Sequence, residues 1–101
     1  MMDILHDPEK HRFTLLQNGE MAYVAYRIEN KTFDIRHTVV PVPLEGQGIA
    51  SALVKEAYDY ARQQGYKLVA TCSYAVRWLQ RHPEYGGEPS PDYCEGNACA
   101  L

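Results

Sequence analysis

Apolar and polar residues alternate along the first part of the chain with the period of two that is typical of β-strands. The run Arg12–Gln17 predicts one strand and is followed by Asn18-Gly19, the strongest short signal for a hairpin turn. The next strand is predicted over Glu20–Glu29, where every second residue is apolar: Ala22, Val24, Tyr26 and Ile28. These two strands should therefore pair antiparallel, with one face covered.

A third strand is predicted after the turn residues Asn30-Lys31. Its alternation assigns four residues to the covered face: Phe33, Ile35, His37 and Val39. Thr38 is then expected on the opposite face, because neighbouring side chains of a strand point to opposite sides. Three strands joined by tight turns predict an antiparallel meander.

The period lengthens to between three and four over residues 47–64, which predicts a helix with one apolar stripe. Gly65 stands where a left-handed helix cap belongs. Residues 67–72 are short and apolar and predict a buried fourth strand, which a helical crossover would place parallel to the third. A final short helix is predicted over residues 73–81 and is stopped by Pro83.

Together these elements predict an α/β fold: an antiparallel three-strand meander plus a parallel fourth strand, with one long helix and a short C-terminal helix. Residues 1–85 would form this single domain. The composition changes from Glu84 onward: residues 86–91 indicate a Gly- and Pro-rich turn or linker, and residues 92–101 show no periodicity. We expect residues 86–101 to be a flexible tail, and removal of residues 88–101 to leave the melting temperature unchanged.

Composition and charge argue against several classes of function. The chain has 101 residues, a net charge of −3 and no cluster of Lys and Arg, so we expect no nucleic-acid partner. No apolar run approaches the length of a membrane span, and the first residues lack the pattern of a signal peptide. We therefore expect a cytoplasmic protein with reduced thiols and no membrane partner. No metal site is predicted, since Cys94 and Cys99 lack the second half of a zinc site.

The connection between the third strand and the long helix carries the clearest sign of chemistry. Gly46 and Gly48 stand just before the helix begins, where glycines permit close approach of a ligand and the free helical N–H groups attract phosphate. No Gly-Lys-Ser/Thr follows, as a nucleoside-triphosphate loop requires, and no third glycine has dinucleotide spacing. A tight turn without any ligand would use the same two glycines.

The segment Glu45-Gly46-Gln47-Gly48-Ile49-Ala50 resembles motif A of the GNAT acyltransferases, whose pattern is Arg/Gln-x-x-Gly-x-Gly/Ala. Gly48 and Ala50 fill the last two fixed positions, whereas Glu45 departs from the pattern at the Arg/Gln position. The order of meander, helix, buried strand and short helix is also that of a GNAT core. The chain is most similar to a very small GNAT-like family of N-acetyltransferases, the YjdJ type. That similarity covers roughly residues 12–85 and includes His37-Thr38, Val40, Cys72 and His82-Pro83.

The resemblance implies acetyl-coenzyme A as the cofactor. Its pyrophosphate would bind at the glycine loop (Glu45, Gly46, Gln47 and Gly48) and at the first helical turn (Ile49, Ala50 and Ser51). Its pantetheine arm would lie between the splayed third and fourth strands, near Thr38 and Val40. Arg77 could reach a phosphate, although a solvated helix face is the ordinary explanation of such a residue. The carboxylate of Glu45 would repel a pyrophosphate that it faced, whereas binding through backbone N–H groups would survive.

Three residues are candidates for catalysis. Cys72 ends the fourth strand just before a helix N-terminus, where a thiol becomes a better nucleophile, so it is either a covalent nucleophile or a thiol that shapes the site. An inert buried cysteine is the alternative. His37 is the natural general base by residue type, although its apolar neighbours also fit a core histidine. Tyr74 stands about where GNAT proteins often have a tyrosine that protonates the thiolate, and an aromatic core role fits equally well.

The sequence thus predicts an acetyl-coenzyme A-dependent N-acyltransferase that acts on a small amine or a protein amine, as a monomer or homodimer. A non-catalytic module that senses coenzyme A or acyl-coenzyme A, or docks on a partner, is the alternative. Asn18-Gly19 replaces the helices that full-size GNAT enzymes carry at this connection. The resemblance therefore implies that the acceptor side is open, or that the tail or a second subunit completes it. A purely structural small domain would bind no cofactor at all.

Overall fold

Six β-strands and two α-helices make up the computed structural model, which describes residues 4–90. The strands form one sheet, in which their order is their order along the chain. Their bounds are β1 Ile4–Asp7, β2 Arg12–Gln17, β3 Glu20–Glu29, β4 Thr32–Val39, β5 Lys67–Ala70 and β6 Glu88–Pro89. The helices are α1 Ile49–Gln63 and α2 Ser73–Arg81, and short 3₁₀ turns cover Val42–Leu44 and Pro83–Tyr85.

Strands β1 to β4 form an antiparallel meander, of which the alternating pattern predicted β2, β3 and β4. Asn18 and Gly19 close the hairpin between β2 and β3 with φ angles of 53° and 78°. A two-residue hairpin turn of type I′ requires positive φ at both positions, and the pair Asn-Gly adopts it readily. The tight turns therefore follow directly from the sequence.

The second half of the sheet is parallel. β5 pairs with β4 after the crossover through α1, and β6 pairs with β5 after the crossover through α2. The predicted mixed α/β fold is confirmed, and the sheet has two strands more than the four that were predicted.

The two additional strands, β1 and β6, are short and lie at the edges of the sheet. β1 has four residues, and β6 has two, of which one is Pro89. Proline cannot donate to a ladder, but at an edge one side of the strand stays unpaired and tolerates it. β6 corrects the interpretation of residues 86–91 as a turn or linker, because the sheet continues to Pro89 and Ser90 is buried. Residues 91–101 of the expected tail lie outside the described residues.

Both helices pack against one face of the sheet and share a single apolar core with it. The stripe predicted for the long helix is the buried side of α1: Ile49, Leu53, Val54, Ala57, Tyr58 and Ala61. We call the other side of the sheet the open face. Among residues 4–90 it carries four large exposed apolar side chains: Leu5, Leu16, Met21 and Val39. The helices therefore cover only half of the sheet surface.

A β-bulge at Arg36 reverses the predicted faces of the second half of β4. The register against β3 steps by one residue between Ile35 and His37, which makes Arg36 the extra residue. An extra residue exchanges the two faces of a strand beyond it. His37 and Val39 are therefore exposed on the open face, and Thr38 lies on the helix-covered side. The prediction that His37 and Val39 share the apolar face was wrong.

Within residues 4–90, neither helix is long and apolar enough to cross a membrane. The same part of the chain has no group of three or more His, Cys, Asp and Glu side chains that could hold a metal ion. Cys72 is a free thiol. Cys94 and Cys99 lie outside the described residues.

Candidate functional site

β4 and β5 separate where the parallel ladder between them ends. Their last paired residues are Ile35 and Ala70, yet β4 continues beyond this point while the chain after β5 turns into α2. The N–H groups of Thr71 and Cys72 both donate to the carbonyl of Ile35, at 2.9 and 3.1 Å. We call the gap between residues 36–40 and residues 72–74 the wedge.

The wedge leaves one edge of β4 without a strand partner. On one side, residues 37–39 still pair with β3. On the other side, no strand within the described part of the chain pairs with β4 beyond Ile35. Backbone N–H and C=O groups along such an edge can bind an extended ligand in the way that they would bind a further strand.

A cavity of about 410 Å³ lies along the wedge and reaches the N-terminus of α1. It is lined by β4, the glycine loop and the starts of both helices, through Thr38, Val40, Leu44, Glu45, Gly46, Gly48, Ile49, Ala50, Ser51 and Tyr74. Its volume is within the range of small-molecule sites. Except for Leu44, every lining residue was predicted from the sequence as a site residue.

The glycine loop presents backbone N–H groups to this cavity. Gly46 and Gly48 have φ angles of 82° and 74°, which other residues adopt only with strain. A Cβ atom on either glycine would meet nothing within 4 Å, so the space in front of the loop is open. Gly48 is the N-cap of α1, where no side chain caps the helix and no acidic residue stands in the first turn. The N–H groups of residues 49–51 therefore have no intrahelical partner.

This end of the cavity suits a phosphate or pyrophosphate group. The residues with free helical N–H groups line it at the positive end of the helix dipole, an arrangement that binds anions. Glu45 is the exception, because its exposed carboxylate lines the same cavity. The donors belong to the backbone, so they remain in place whatever residue stands at position 45.

Two of the predicted cofactor-binding residues do not line the cavity. Gln47 is exposed, and its side-chain oxygen accepts a hydrogen bond of 2.9 Å from Gln17 Nε2. That bond ties the glycine loop to the hairpin between β2 and β3. Arg77 is exposed on α2.

Cys72 and Thr38 meet where the wedge narrows. The thiol donates to Thr38 Oγ1 at 3.5 Å, although the two residues are 34 positions apart in the sequence. Cys72 is the N-cap of α2 and packs, half-buried, against the core. Thr38 reaches it because the bulge at Arg36 turns this residue to the helix-covered side. Tyr74 lies in the first turn of α2, is 39% exposed and lines the cavity.

His37 is placed apart from these residues. It is exposed on the open face and does not line the cavity. A base at this position would meet a molecule that approaches over the open face. It would not meet a group held on the helix-covered side of the sheet.

A polar network that the sequence analysis missed fixes the chain just before Cys72. The carboxylate of Asp34, which is 8% exposed, accepts hydrogen bonds from Arg36 at 3.1 Å and from Thr71 Oγ1 at 3.0 Å. Thr71 Oγ1 lies 2.7 Å from Ser90 Oγ. Asp34 and Thr71 are 37 positions apart, so no local pattern in the sequence could have paired them.

Tyr58 supports β5 from the helix-covered side. Tyr58 lies in α1 and its side chain is fully buried. Its hydroxyl donates to the carbonyl of Val69 at 2.7 Å. Burial raises the pKa of Tyr58 well above its usual value, so the phenol stays neutral and keeps its proton for this bond. Tyr58 and the Asp34 network thus hold the end of β5 from opposite sides.

Comparison with known proteins gives consistent matches. The sequence model of a family described as GCN5-related N-acetyltransferase matches residues 12–88. Protein NATD1 of Xenopus tropicalis is 33% identical over 81 residues, which are 77% of this chain and 74% of that protein. Protein NATD1 of Danio rerio is 33% identical over 85 residues, which are 79% of this chain and 77% of the relative. The human protein of the same name is 33% identical over 81 residues, with 77% and 72% covered.

A solved structure agrees with these sequence matches. The NMR structure of a GCN5-like protein from Staphylococcus aureus superimposes with a TM-score of 0.69 at 26% sequence identity. The superposition covers 94% of this chain and 96% of the other. Most of this chain therefore has a counterpart in a protein of similar size.

Proposed function

Because this chain belongs to the family of GCN5-related N-acetyltransferases, we propose that it transfers the acetyl group of acetyl-coenzyme A to an amine. The observation that carries the proposal is the wedge, where one cavity joins a helix N-terminus to the neighbourhood of Cys72 and Thr38. An extended molecule with a thioester at one end and a diphosphate farther along its length fits this arrangement. Acetyl-coenzyme A has that form.

In this proposal, the backbone N–H groups of residues 49–51 bind the pyrophosphate, and Gly46 and Gly48 allow its oxygens to approach the loop. The free edge of β4 near Thr38 and Val40 binds the pantetheine arm through backbone hydrogen bonds. Arg77 is exposed and remains a candidate for a phosphate contact outside the cavity. All but one of these contacts come from the backbone, so they tolerate the departure at Glu45.

When bound, acetyl-coenzyme A would supply an acetyl group activated as a thioester. The chain must provide a proton for the leaving sulfur and accept one from the attacking amine. We assign the first task to Tyr74 Oη, since this residue lines the cavity. His37 is assigned the second task for an amine that enters the wedge from the open face and reaches the acetyl group there, because its imidazole is exposed on that face.

Cys72 has one of two roles in this scheme. As a nucleophile, its Sγ forms a bond to the acetyl carbon, the coenzyme sulfur leaves as a thiol with the proton, and the amine later displaces Sγ. As a spectator, the thiol shapes the narrow end of the wedge through its contact with Thr38. Intact mass after incubation with acetyl-coenzyme A separates the roles. A nucleophile gives an acetyl adduct that Cys72→Ala abolishes, whereas an unchanged adduct on the variant excludes the covalent role.

A second function is favoured by the open face. The connection between β2 and β3 is only the two residues Asn18 and Gly19, so it adds no further element to cover the sheet opposite the helices. A module that binds acyl-coenzyme A as a sensor, without transferring the acetyl group, needs no acceptor pocket on that face. Tight binding without turnover of any amine would favour this alternative.

A thermal melt with and without acetyl-coenzyme A, followed by a screen of amine acceptors, tests the proposal. Ligand at about 100 times its Kd should add roughly 2.7 kcal/mol to the free energy of unfolding and raise the melting temperature by several degrees. Turnover in the screen identifies an enzyme, and binding alone identifies the module. The absence of any melting shift would overturn both functions.

A further inference from the structure

The indole nitrogen of Trp78 donates a hydrogen bond to the hydroxyl of Ser51. The distance from Trp78 Nε1 to Ser51 Oγ is 3.1 Å. Trp78 lies in α2, whereas Ser51 is the third residue of α1 and lines the cavity at the helix N-terminus. The bond therefore joins the second helix to the end of the cavity that suits phosphate.

The indole ring of Trp78 is held from several sides. It is 4% exposed, stacks on His82 with ring centroids 4.1 Å apart and meets Tyr85 edge-on at 4.8 Å. The ring of Tyr58 packs at 5.8 Å. Because the ring is fixed in this way, its N–H group points in one direction, and the oxygen of Ser51 lies in that direction.

The chemistry of the two groups determines where the hydroxyl proton can go. A serine hydroxyl has one proton to donate and two lone pairs that accept, whereas an indole N–H only donates. Trp78 therefore occupies a lone pair of Ser51 Oγ and leaves the proton for another acceptor. Within residues 4–90, this bond is the one hydrogen bond that the Ser51 side chain makes. The hydroxyl lies at the same cavity that residues 49–51, with their free N–H groups, line.

We propose that Trp78 is a positioning residue for recognition of a diphosphate ester: it fixes the Ser51 hydroxyl so that its proton is donated to a phosphate oxygen. The inference rests on the proposed function, since it deepens the account of acetyl-coenzyme A binding. Trp78 lies beneath the site and acts through Ser51. Its effect falls on the affinity for the phosphates and not on the acetyl transfer.

The same bond makes phosphate recognition depend on α2. Cys72 is the N-cap of α2, and Tyr74 in the first turn of α2 lines the other part of the cavity. Through Trp78, the helix that bears these groups also sets a donor at the pyrophosphate end. One element, α2, therefore positions groups at both ends of the site.

Dissociation constants for acetyl-coenzyme A and for acetyl-pantetheine, measured by NMR titration, test the proposal. Acetyl-pantetheine has the thioester and the arm but lacks the diphosphate and the phosphorylated adenosine beyond it. Ser51→Ala should weaken acetyl-coenzyme A binding about tenfold, which is typical for loss of a hydrogen bond to a charged group. Trp78→Phe keeps a ring in the core but leaves the Ser51 hydroxyl free to rotate. It should weaken acetyl-coenzyme A binding about threefold. Both variants should bind acetyl-pantetheine like the wild type.

Three further variants make the result specific. Ser51→Thr keeps the hydroxyl and should retain the affinity for acetyl-coenzyme A. Trp78→Phe should add nothing in a Ser51→Ala background, because the two residues act through one bond. Tyr85→Phe is the matched control. It removes a hydroxyl from the same aromatic cluster, bonded at 2.7 Å to Asp59, and should leave both dissociation constants unchanged.

Equal losses for both ligands in Trp78→Phe would show a merely structural role and overturn the inference. Full affinity of Ser51→Ala for acetyl-coenzyme A would overturn it as well, and this outcome does not depend on the folding of the Trp78 variant. A wild-type protein that binds no acetyl-coenzyme A would overturn the proposed function, and the inference with it. The wild-type titration therefore distinguishes the two failures.

Discussion

His6 sits among aromatic rings that favour its neutral form. Its imidazole stacks on Phe13 with centroids 4.1 Å apart, and Tyr60 meets it edge-on at 4.5 Å. Its Nε2 atom is hydrogen-bonded to the hydroxyl of Tyr26. Burial lowers the pKa of His6 below its usual value, and burial raises the pKa of Tyr26 to about 12. The first strand is therefore attached to the core by a contact that protonation weakens.

This contact predicts a loss of stability in mild acid. The pKa of His6 is lower in the folded than in the unfolded chain, so the unfolded chain takes up the proton first. The stability that neutral His6 contributes is present above the unfolded value of 6.5 and is lost as the pH falls through the lowered folded pKa. Urea midpoints at pH 7.5 and 5.5 should show a smaller decrease for His6→Gln than for the wild type. Equal decreases would contradict the assignment.

Glu45 places a carboxylate in a cavity whose other features attract anions. Glu45→Gln should tighten acetyl-coenzyme A binding by a factor of about two to five, as expected for removal of one exposed charge interaction. The gain should shrink at high salt, because exposed charges are screened. Isothermal titration at two salt concentrations measures both effects. The control is Glu56→Gln, which removes an exposed charge from α1 outside the cavity lining, and an equal gain there would refute a local effect.

At the scale of an element, the start of α1 depends on the conformation of its glycines. Gly48 and Gly19 have nearly the same φ, 74° and 78°, and neither would bring a Cβ within 4 Å of a neighbour. Replacing either by Ala should cost about 1–2 kcal/mol of stability through backbone strain alone. Only Gly48→Ala should also weaken acetyl-coenzyme A binding, because its Cβ stands beside the N–H donors. Chemical denaturation and titration of both variants test this, and equal affinity losses would refute it.

The elements differ in how far the sequence predicts them. Periodicity over many residues identifies α1 and β3, and Asn18-Gly19 fixes the hairpin between β2 and β3, because these signals are local. The bulge at Arg36 has no local signal: its flanking residues alternate as in a regular strand, and the register against β3 decides the outcome. One extra residue was enough to reverse the predicted positions of His37 and Thr38.

The candidate site, like the elements, could be predicted from the sequence only where its signals are local. The glycine loop could be predicted because its residues are contiguous and their chemistry is local. The contacts of Cys72 with Thr38 and of Trp78 with Ser51 join residues 34 and 27 positions apart, and only the packing of α2 beside β4 and α1 creates them. The resemblance to a known family directed attention to Cys72, whereas nothing in the sequence indicated the partner of Trp78.

At the scale of the whole molecule, β6 extends the sheet beyond residue 85, where the composition suggested that the domain ends. Deleting residues 88–101 removes this strand and Ser90, so it should lower the melting temperature, contrary to the expectation from sequence. Ser90→Ala removes the hydroxyl beside Thr71 and should cost about 1 kcal/mol, the value of a typical hydrogen bond. The exposed Ser73→Ala serves as control. Denaturation midpoints that match between the two serine variants would contradict the role of Ser90.

The sequential order of the strands bears on how the protein folds. Each strand pairs with its predecessor in the chain, and the meander closes through short turns, so its contacts form at little cost in loop entropy. The pairing of β4 with β5 must wait until the whole α1 crossover has been brought back to the sheet. Ligand-binding competence should therefore be acquired after the hairpins. In a refolding experiment, acetyl-coenzyme A would report on the step that pairs β5 with β4 and forms the wedge.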